Sequence, residues 1–214
     1  MNILHLDSSI LGSNSITREL SAAVVADIQA QHGPANVTYR DLVRDEIRHL
    51  TGPIAAGFRQ IDAGEFDDET AQEHLLSELI VTEFLANDVI VIGVPMYNFS
   101  VPSQLKAWFD RLAQVGRTFR YTEAGPVGLA GGRKVIVVSA RGGFYAGAPL
   151  AHMDFQESYL KAFFGFLGIS DVRFVRAEGA SKGQVVRDNG IALARASVAD
   201  VLTDLQPSIG QTAQ

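Results

Sequence analysis

The strongest constraint on this chain is Val89-Ile90-Val91-Ile92-Gly93-Val94, a continuous and largely β-branched run followed at once by Pro95-Met96-Tyr97-Asn98-Phe99. An apolar strand with no polar alternation has no solvated face, so it belongs in the middle of a parallel sheet covered on both sides. The Met-Tyr-Asn-Phe segment after Pro95 is too short and irregular for a strand or a helix. Ser103 then opens a helix, with Leu105, Trp108, Phe109 and Leu112 at i, i+3, i+4 and i+7. Met96 to Phe99 is therefore expected at the carboxyl end of a central strand, where open α/β sheets bind their ligands. Two aromatics, an amide and a methionine there suit a flat ring with polar edges. The alternative is that Tyr97 and Phe99 only cap the core.

The rest of the chain falls in place around that strand. Asn2 to Asp7 reads as strand one, with His5 as a hydrogen-bonded packing residue. Thr17 is a candidate N-cap for a helix carrying Leu20, Val24 and Ile28, which Gly33-Pro34 stops. Asn36 to Asp41 suggests an outer strand with Val37 and Tyr39 on one side. Leu42 to Asp68 reads as an excursion with some helix, longer than usual connections. Glu69 to Ala86 is periodic, with Leu75, Leu76, Leu79, Ile80 and Phe84 expected to face inward. After the Trp108 helix, Arg117 to Tyr121 reads as an extended aromatic insertion that ends in turns at Gly125-Pro126 and Gly131-Gly132. Lys134 to Ser139 and Asp171 to Ala177 are strands, Met153 to Leu167 and Val185 to Leu205 helices, and 206–214 a frayed tail.

Five strands alternating with helices predict a doubly wound parallel sheet with helices on both faces. At 214 residues the expectation is a single domain spanning 1–214. No cysteine is present, which excludes a disulfide framework, a thiolate metal site and thiol catalysis, and is compatible with a reducing cytoplasm. A net charge of −6 offers no basic footprint for nucleic acid or an anionic membrane. No apolar run reaches membrane-spanning length, and no signal peptide is expected at the N-terminus.

A dinucleotide site would need G-x-G-x-x-G after strand one. The loop Ser8 to Thr17 holds a single glycine, Gly12, and Asp41 after strand two reads as a turn residue rather than a ribose contact. Hydroxyls abound instead: Ser8, Ser9, Ser13, Ser15 and Thr17 stand just before a helix N-terminus, a place for one phosphate. These residues are also ordinary cap formers. Ala140-Arg141-Gly142-Gly143 ends the Lys134 strand, where glycines let the backbone approach a flat ligand. A mononucleotide carrying a planar redox ring fits all three strand ends, and the strand order 2-1-3-4-5 places such a ligand at its switch point. Gly179-Ala180-Ser181-Lys182-Gly183 also matches a hydrolase nucleophile elbow, but all five histidines precede Ser181, against the chain order of that fold. No metal-ligand cluster is evident.

These motifs, together with Gln104-Leu105-Lys106, Phe119-Arg120-Tyr121-Thr122-Glu123 and Phe164-Gly165-Phe166-Leu167-Gly168-Ile169, resemble the bacterial FMN-dependent NADH-azoreductases, also described as NADH:quinone oxidoreductases, from Asn2 to about Leu202. The resemblance implies a flavodoxin-like fold and a cytoplasmic homodimer with one noncovalent FMN per subunit. It carries phosphate contacts to Ser9, Ser15, Ile16 and Thr17, and ring and ribityl contacts to Pro95, Met96, Tyr97, Asn98, Phe99, Ala140, Arg141, Gly142 and Gly143. Two departures from the family pattern are Ile16, which leaves only a backbone donor, and Ala140, which removes a hydroxyl. The chemistry is expected at FMN N5 with no catalytic side chain: NADH delivers hydride, then a quinone, azo or nitro-aromatic acceptor takes two electrons in the same place. Backbone N–H groups around Asn98 and Gly142-Gly143 would steady the N5 edge and the charge developing at N1/O2. Phe119, Tyr121 and Phe163 are candidates for an aromatic wall over the ring, or else core or interface packing. The rival reading is a flavodoxin-type electron carrier with no acceptor of its own.

Overall fold

The computed structural model describes residues 1–58 and 66–205. Among them five strands form one parallel sheet: β1 (Asn2–Asp7), β2 (Asn36–Asp41), β3 (Val89–Pro95), β6 (Lys134–Ala140) and β7 (Asp171–Ala177). Strands β4 (Phe119–Thr122) and β5 (Gly125–Gly128) pair as a separate antiparallel hairpin. The sheet order is β2-β1-β3-β6-β7, which is 2-1-3-4-5 once the hairpin is set aside. Every residue of β3 is buried, as its unbroken apolar run demands.

Helices cover both faces. On one lie α3 (Asp68–Leu85), α4 (Ser103–Leu112) and α5 (Phe155–Phe166), whose Phe84, Trp108, Phe109 and Phe164 pack over Leu4, Ile90 and Val137. On the other, α1 (Ile16–His32), α6 (Gln184–Ala196) and α7 (Val198–Val201) pack Leu20, Val24, Ala194 and Val198 over Ile3, Val91 and Ile136. A short helix α2 (Gly52–Ala56) lies within the Leu42–Asp68 excursion, whose segment 59–65 lies outside the described residues, as does the tail 206–214.

Several expectations change. Leu75 and Leu79 of α3 face solvent, 65% and 53% exposed. The inward residues are Ser77, Ile80, Val81 and Phe84. The helical phase is set by a polar anchor: the fully buried Arg111 of α4 donates to Ser77 Oγ at 2.8 Å and to Glu73 Oε2 at 2.6 Å. Residues two away from Ser77 then lie on the opposite side. The cap of α1 is Ser15, whose Oγ accepts from Arg18 N, while Thr17 is buried within the helix. Gly125–Gly128 is a strand rather than a turn, because Pro126 on the outside of a two-stranded ribbon needs no N–H partner. The last helix breaks at Ser197, whose hydroxyl donates back to Ala194 O at 2.8 Å.

Candidate active site at the carboxyl ends of β1, β3 and β6

The sheet order changes direction between β1 and β3, and the loops that leave these strands and β6 converge there. After β1 the chain makes a short 3₁₀ turn, Gly12–Asn14, and enters α1 through Ser15. Ser8 Oγ donates to Gly93 O at 2.7 Å, which ties this loop to the neighbouring strand. Ser15 Oγ lies 3.0 Å from Thr17 Oγ1 and accepts from Arg18 N. The N–H groups of Ile16 and Thr17 have no protein acceptor among the described residues. A helix N-terminus with two free backbone donors and flanking hydroxyls is an anion cradle.

A buried polar network stands under the cradle. His5 Nε2 lies 2.8 Å from Ser21 Oγ, which donates to Asp7 Oδ1 at 3.0 Å, and Tyr39 OH donates to Asp7 Oδ2 at 3.0 Å. His5 is thus the packing residue its sequence position suggested. Burial holds its pKa below the ordinary value, with Asp7 opposing and Arg18 adding to the effect. Burial, then Asp7, pushes the Tyr39 phenol up to about 12. Arg18 donates two bonds of 2.7 Å to Asp41 and one of 3.0 Å to Ser9 O, so its charge is spent on holding the loop in place. Asp41 accepts from Val43 N as well, as a turn residue should, and Arg18 keeps its carboxyl below the usual range.

The loop after β3 is a tight turn. Tyr97 and Ser100 exchange backbone bonds of 3.1 and 3.0 Å around Asn98 and Phe99. Both central residues have positive φ, 46° and 71°. Asparagine adopts that conformation readily, whereas phenylalanine does so at a cost of about 1–2 kcal/mol. Such strain concentrates at sites of function. The turn is braced on one side by Met96 N donating to Ala140 O at 2.8 Å and on the other by Phe155 N donating to Phe99 O at 3.1 Å.

After β6, Arg141 turns its buried guanidinium away from the turn toward Asp154, Glu157 and Glu178 at 3.0, 2.5 and 3.3 Å. Burial would raise the Glu157 carboxyl, but Arg176 and Arg141 outweigh it and hold it low. A Cβ on Gly142 would come 2.8 Å from Ser181 Oγ, so glycine allows the β7–α6 loop to close against this one.

The three loops enclose two adjoining cavities that share Met96 and Tyr97. The smaller, about 220 Å³, is lined by Ser9, Ser15, Ile16, Thr17, Pro95, Ala140, Arg141 and Gly142, and also by Ser181 and Arg187. The larger and more open one, about 810 Å³, is lined by Ile10, Asn98, Val101, Ser103, Lys106 and Tyr159. Phe99 and Gly143 flank these cavities without lining them. Phe163 stacks behind Tyr159 and against Phe109, with ring centroids 6.3 and 4.2 Å away. Phe119 is buried against Phe166, with centroids 4.6 Å apart, and Tyr121 is 71% exposed on the hairpin. Neither of these two reaches the cavities within this chain. Among the lining residues that sequence reasoning did not assign to the site are Tyr159 and Arg187, while Ser181 was weighed only as a hydrolase nucleophile. For Tyr159 the signal was its position one turn before Phe163. Burial pushes its phenol up to about 12, so it remains a hydrogen-bond donor at neutral pH. No histidine or carboxylate shares the cavity wall with Ser181 among the described residues, so the nucleophile-elbow pattern lacks its partners.

Fold and site together define a doubly wound α/β protein with a helix N-terminus and two adjoining cavities at the switch point. The chain belongs to the family described as having a flavodoxin-like fold, whose model matches residues 1–202. It is 58% identical over 202 residues to a protein of Ralstonia nicotianae named FMN-dependent NADH:quinone oxidoreductase, covering 94% of this chain and 97% of that one. It is 55% identical over 212 residues to a protein of Xanthomonas axonopodis pv. citri named FMN-dependent NADH:quinone oxidoreductase 2, covering 99% and 98%. A crystal structure of an azoreductase from Bacillus anthracis superposes with a TM-score of 0.84 at 26% identity, covering 94% of this chain and 98% of that one.

Proposed function

We propose that this chain is an FMN-dependent NADH oxidoreductase that reduces quinones and azo compounds. The observation that carries the reading is the convergence, on one pair of adjoining cavities, of a helix N-terminal anion cradle and a strained aromatic turn. The residues fit the group. Ile16 and Thr17 offer free N–H donors beside the hydroxyls of Ser9, Ser15 and Thr17, enough for a phosphate monoester. Pro95, Met96, Tyr97, Asn98 and Phe99 on one side and Ala140, Arg141, Gly142 and Gly143 on the other would hold the ring and ribityl chain. In that slot Asn98 and the glycines would offer backbone N–H groups to the ring's polar edge, where charge develops. Arg141 supports its loop through carboxylates and would contact the ligand by backbone only.

FMN held by Ser9, Ser15, Ile16, Thr17 and the Met96–Phe99 and Gly142–Gly143 loops would supply two-electron redox chemistry between NADH and the acceptor. The protein's part is to orient and to exclude water. The larger cavity is the place for the nicotinamide and, after it, for a quinone, azo or nitro-aromatic acceptor, with Tyr159 as donor and Lys106 at the rim. We read the chain as one domain that acts as a cytoplasmic homodimer. Exposed Tyr121 and Val127 on the hairpin, with Leu75 and Leu79 on α3, are apolar surface for a second copy to cover. Across such an interface Tyr121 would reach the partner's site, while Phe119 and Phe163 would support the wall. Steady-state kinetics with NADH and benzoquinone test the reading. Alternate occupation of one cavity predicts parallel double-reciprocal lines; intersecting lines, or no turnover with added FMN, would count against it.

A further inference from the structure

The smaller cavity has a second wall. Its far side is the β7–α6 loop, laced to the Arg141–Gly143 loop by Gly179 N to Gly143 O at 2.9 Å, Ala180 N to Arg141 O at 2.9 Å and Ser181 N to Gly142 O at 3.1 Å. Helix α6 leaves this loop pressed against the end of β7: a Cβ on Gly190 would lie 2.2 Å from Glu178 O. Arg187, in the first turn of α6, is therefore carried on a rigid base, and its side chain lines the cavity opposite the α1 N-terminus.

The charges in this region single Arg187 out. Arg18 is committed to Asp41, and Arg141 to three carboxylates. Among the described residues Arg187 meets only its neighbour Asp188, at 3.6 Å, and that carboxylate is 57% exposed. No carboxylate lines the cavity among the described residues, although the chain carries a net charge of −6. A cation whose described ion pair is with an exposed carboxylate at 3.6 Å, on a braced helix, in a cavity lined by no acid among the described residues and facing free backbone donors, is an arrangement for a dianion.

We propose that Arg187 is a specificity-determining residue that reads the charge of the FMN phosphate, so that the site selects the phosphorylated flavin over uncharged riboflavin. The inference rests on the FMN reading above and adds to it a residue from the β7–α6 side. The neutral donors of the α1 cradle bind phosphate oxygens in any ionic state. Arg187 makes the contact depend on the negative charge of the phosphate, about −2 at neutral pH. It also makes the contact sensitive to salt.

The test is equilibrium titration of the flavin-free full chain with FMN and with riboflavin, followed by flavin fluorescence, without nicotinamide present. Wild type, Arg187→Gln and Arg187→Lys are compared at low and high salt. Arg187→Gln is expected to weaken FMN binding roughly tenfold or more while leaving riboflavin binding within twofold, so that the preference between the two shrinks. Arg187→Lys should recover part of the loss, and the salt dependence of FMN binding should flatten in the glutamine variant. Unaltered riboflavin binding also reports that the variant is folded. Equal FMN affinity in wild type and Arg187→Gln would overturn the proposal, and so would parallel loss of both flavins. Unchanged FMN affinity with a raised KM for NADH would also overturn it and move Arg187 to the nicotinamide diphosphate. A wild-type chain that binds neither flavin would instead remove the FMN reading itself.

Discussion

Gly93 interrupts an otherwise β-branched strand for a reason the geometry supplies, and Gly93→Ala measures it. A Cβ at this position would lie 2.6 Å from Asp7 Oδ1, 3.3 Å from the Thr17 carbonyl oxygen and 3.4 Å from Thr17 Cβ. The Asp7 carboxylate must retreat, yet it is fixed by Ser21 and Tyr39 at 3.0 Å each. The α1 backbone at Thr17 must also give by a few tenths of an ångström, and that backbone carries the anion cradle. Overpacking costs about 1–3 kcal/mol, and one weakened buried hydrogen bond adds about 1 kcal/mol. The expected loss is about 2–4 kcal/mol in urea denaturation of the flavin-free protein, with a fall in Tm of roughly 4–16 °C for a chain of this size. Flavin affinity should fall with it. Combining Gly93→Ala with Asp7→Ala removes the clashing oxygen, so the double variant should lose less than the sum of the single losses. A Gly93→Ala protein within about 0.5 kcal/mol of wild type, the usual scatter for harmless changes, would refute the close-approach reasoning.

Arg141→Met leaves Asp154, Glu157 and Glu178 facing one another without their buried cation. The expected loss is about 3–5 kcal/mol at pH 7, which urea denaturation of the variant checks. The burial that lowers the folded-state pKa of His5 makes the unfolded chain the better proton binder below about pH 6.5. Stability is therefore full above that pH and is lost as pH falls toward the folded pKa; His5→Gln should flatten this part of the Tm–pH profile while leaving the carboxylate-dependent fall at lower pH. At the strained turn, Asn98→Gly should keep stability within about 0.5 kcal/mol, while Asn98→Val, a β-branched residue at positive φ, should cost roughly 1–2 kcal/mol; urea midpoints of the two variants decide.

What could be read from residues alone was whatever is written in local pattern. The Val89–Val94 run places β3 at the centre of a parallel sheet, and the Leu105, Trp108, Phe109, Leu112 spacing places α4 on it, all four side chains fully buried. The hydroxyl-rich loop and the Met-Tyr-Asn-Phe break mark two of the strand ends that meet. The phase of α3 was not legible, because the buried Arg111 that turns Ser77 inward comes from a helix more than thirty residues on. The pairing of Gly125–Gly128 was hidden by its glycine and proline composition, which reads locally as a turn. Arg187 and Ser181 gave no local sign of facing the cradle, since only the parallel pairing of β6 with β7 brings their loop beside Gly142. Arg141 was read as part of a glycine turn, yet its side chain serves a carboxylate cluster supplied by α5 and the β7–α6 loop.

The function proposed for this site is transfer of two electrons from NADH through FMN to a quinone or azo acceptor. Its most direct test is the visible spectrum of the FMN-reconstituted protein under anaerobic conditions, with NADH added first and a quinone second. The flavin absorbance is expected to bleach with NADH and return with the quinone. A protein that binds FMN but keeps its flavin absorbance in the presence of NADH would contradict it and leave an electron carrier in its place.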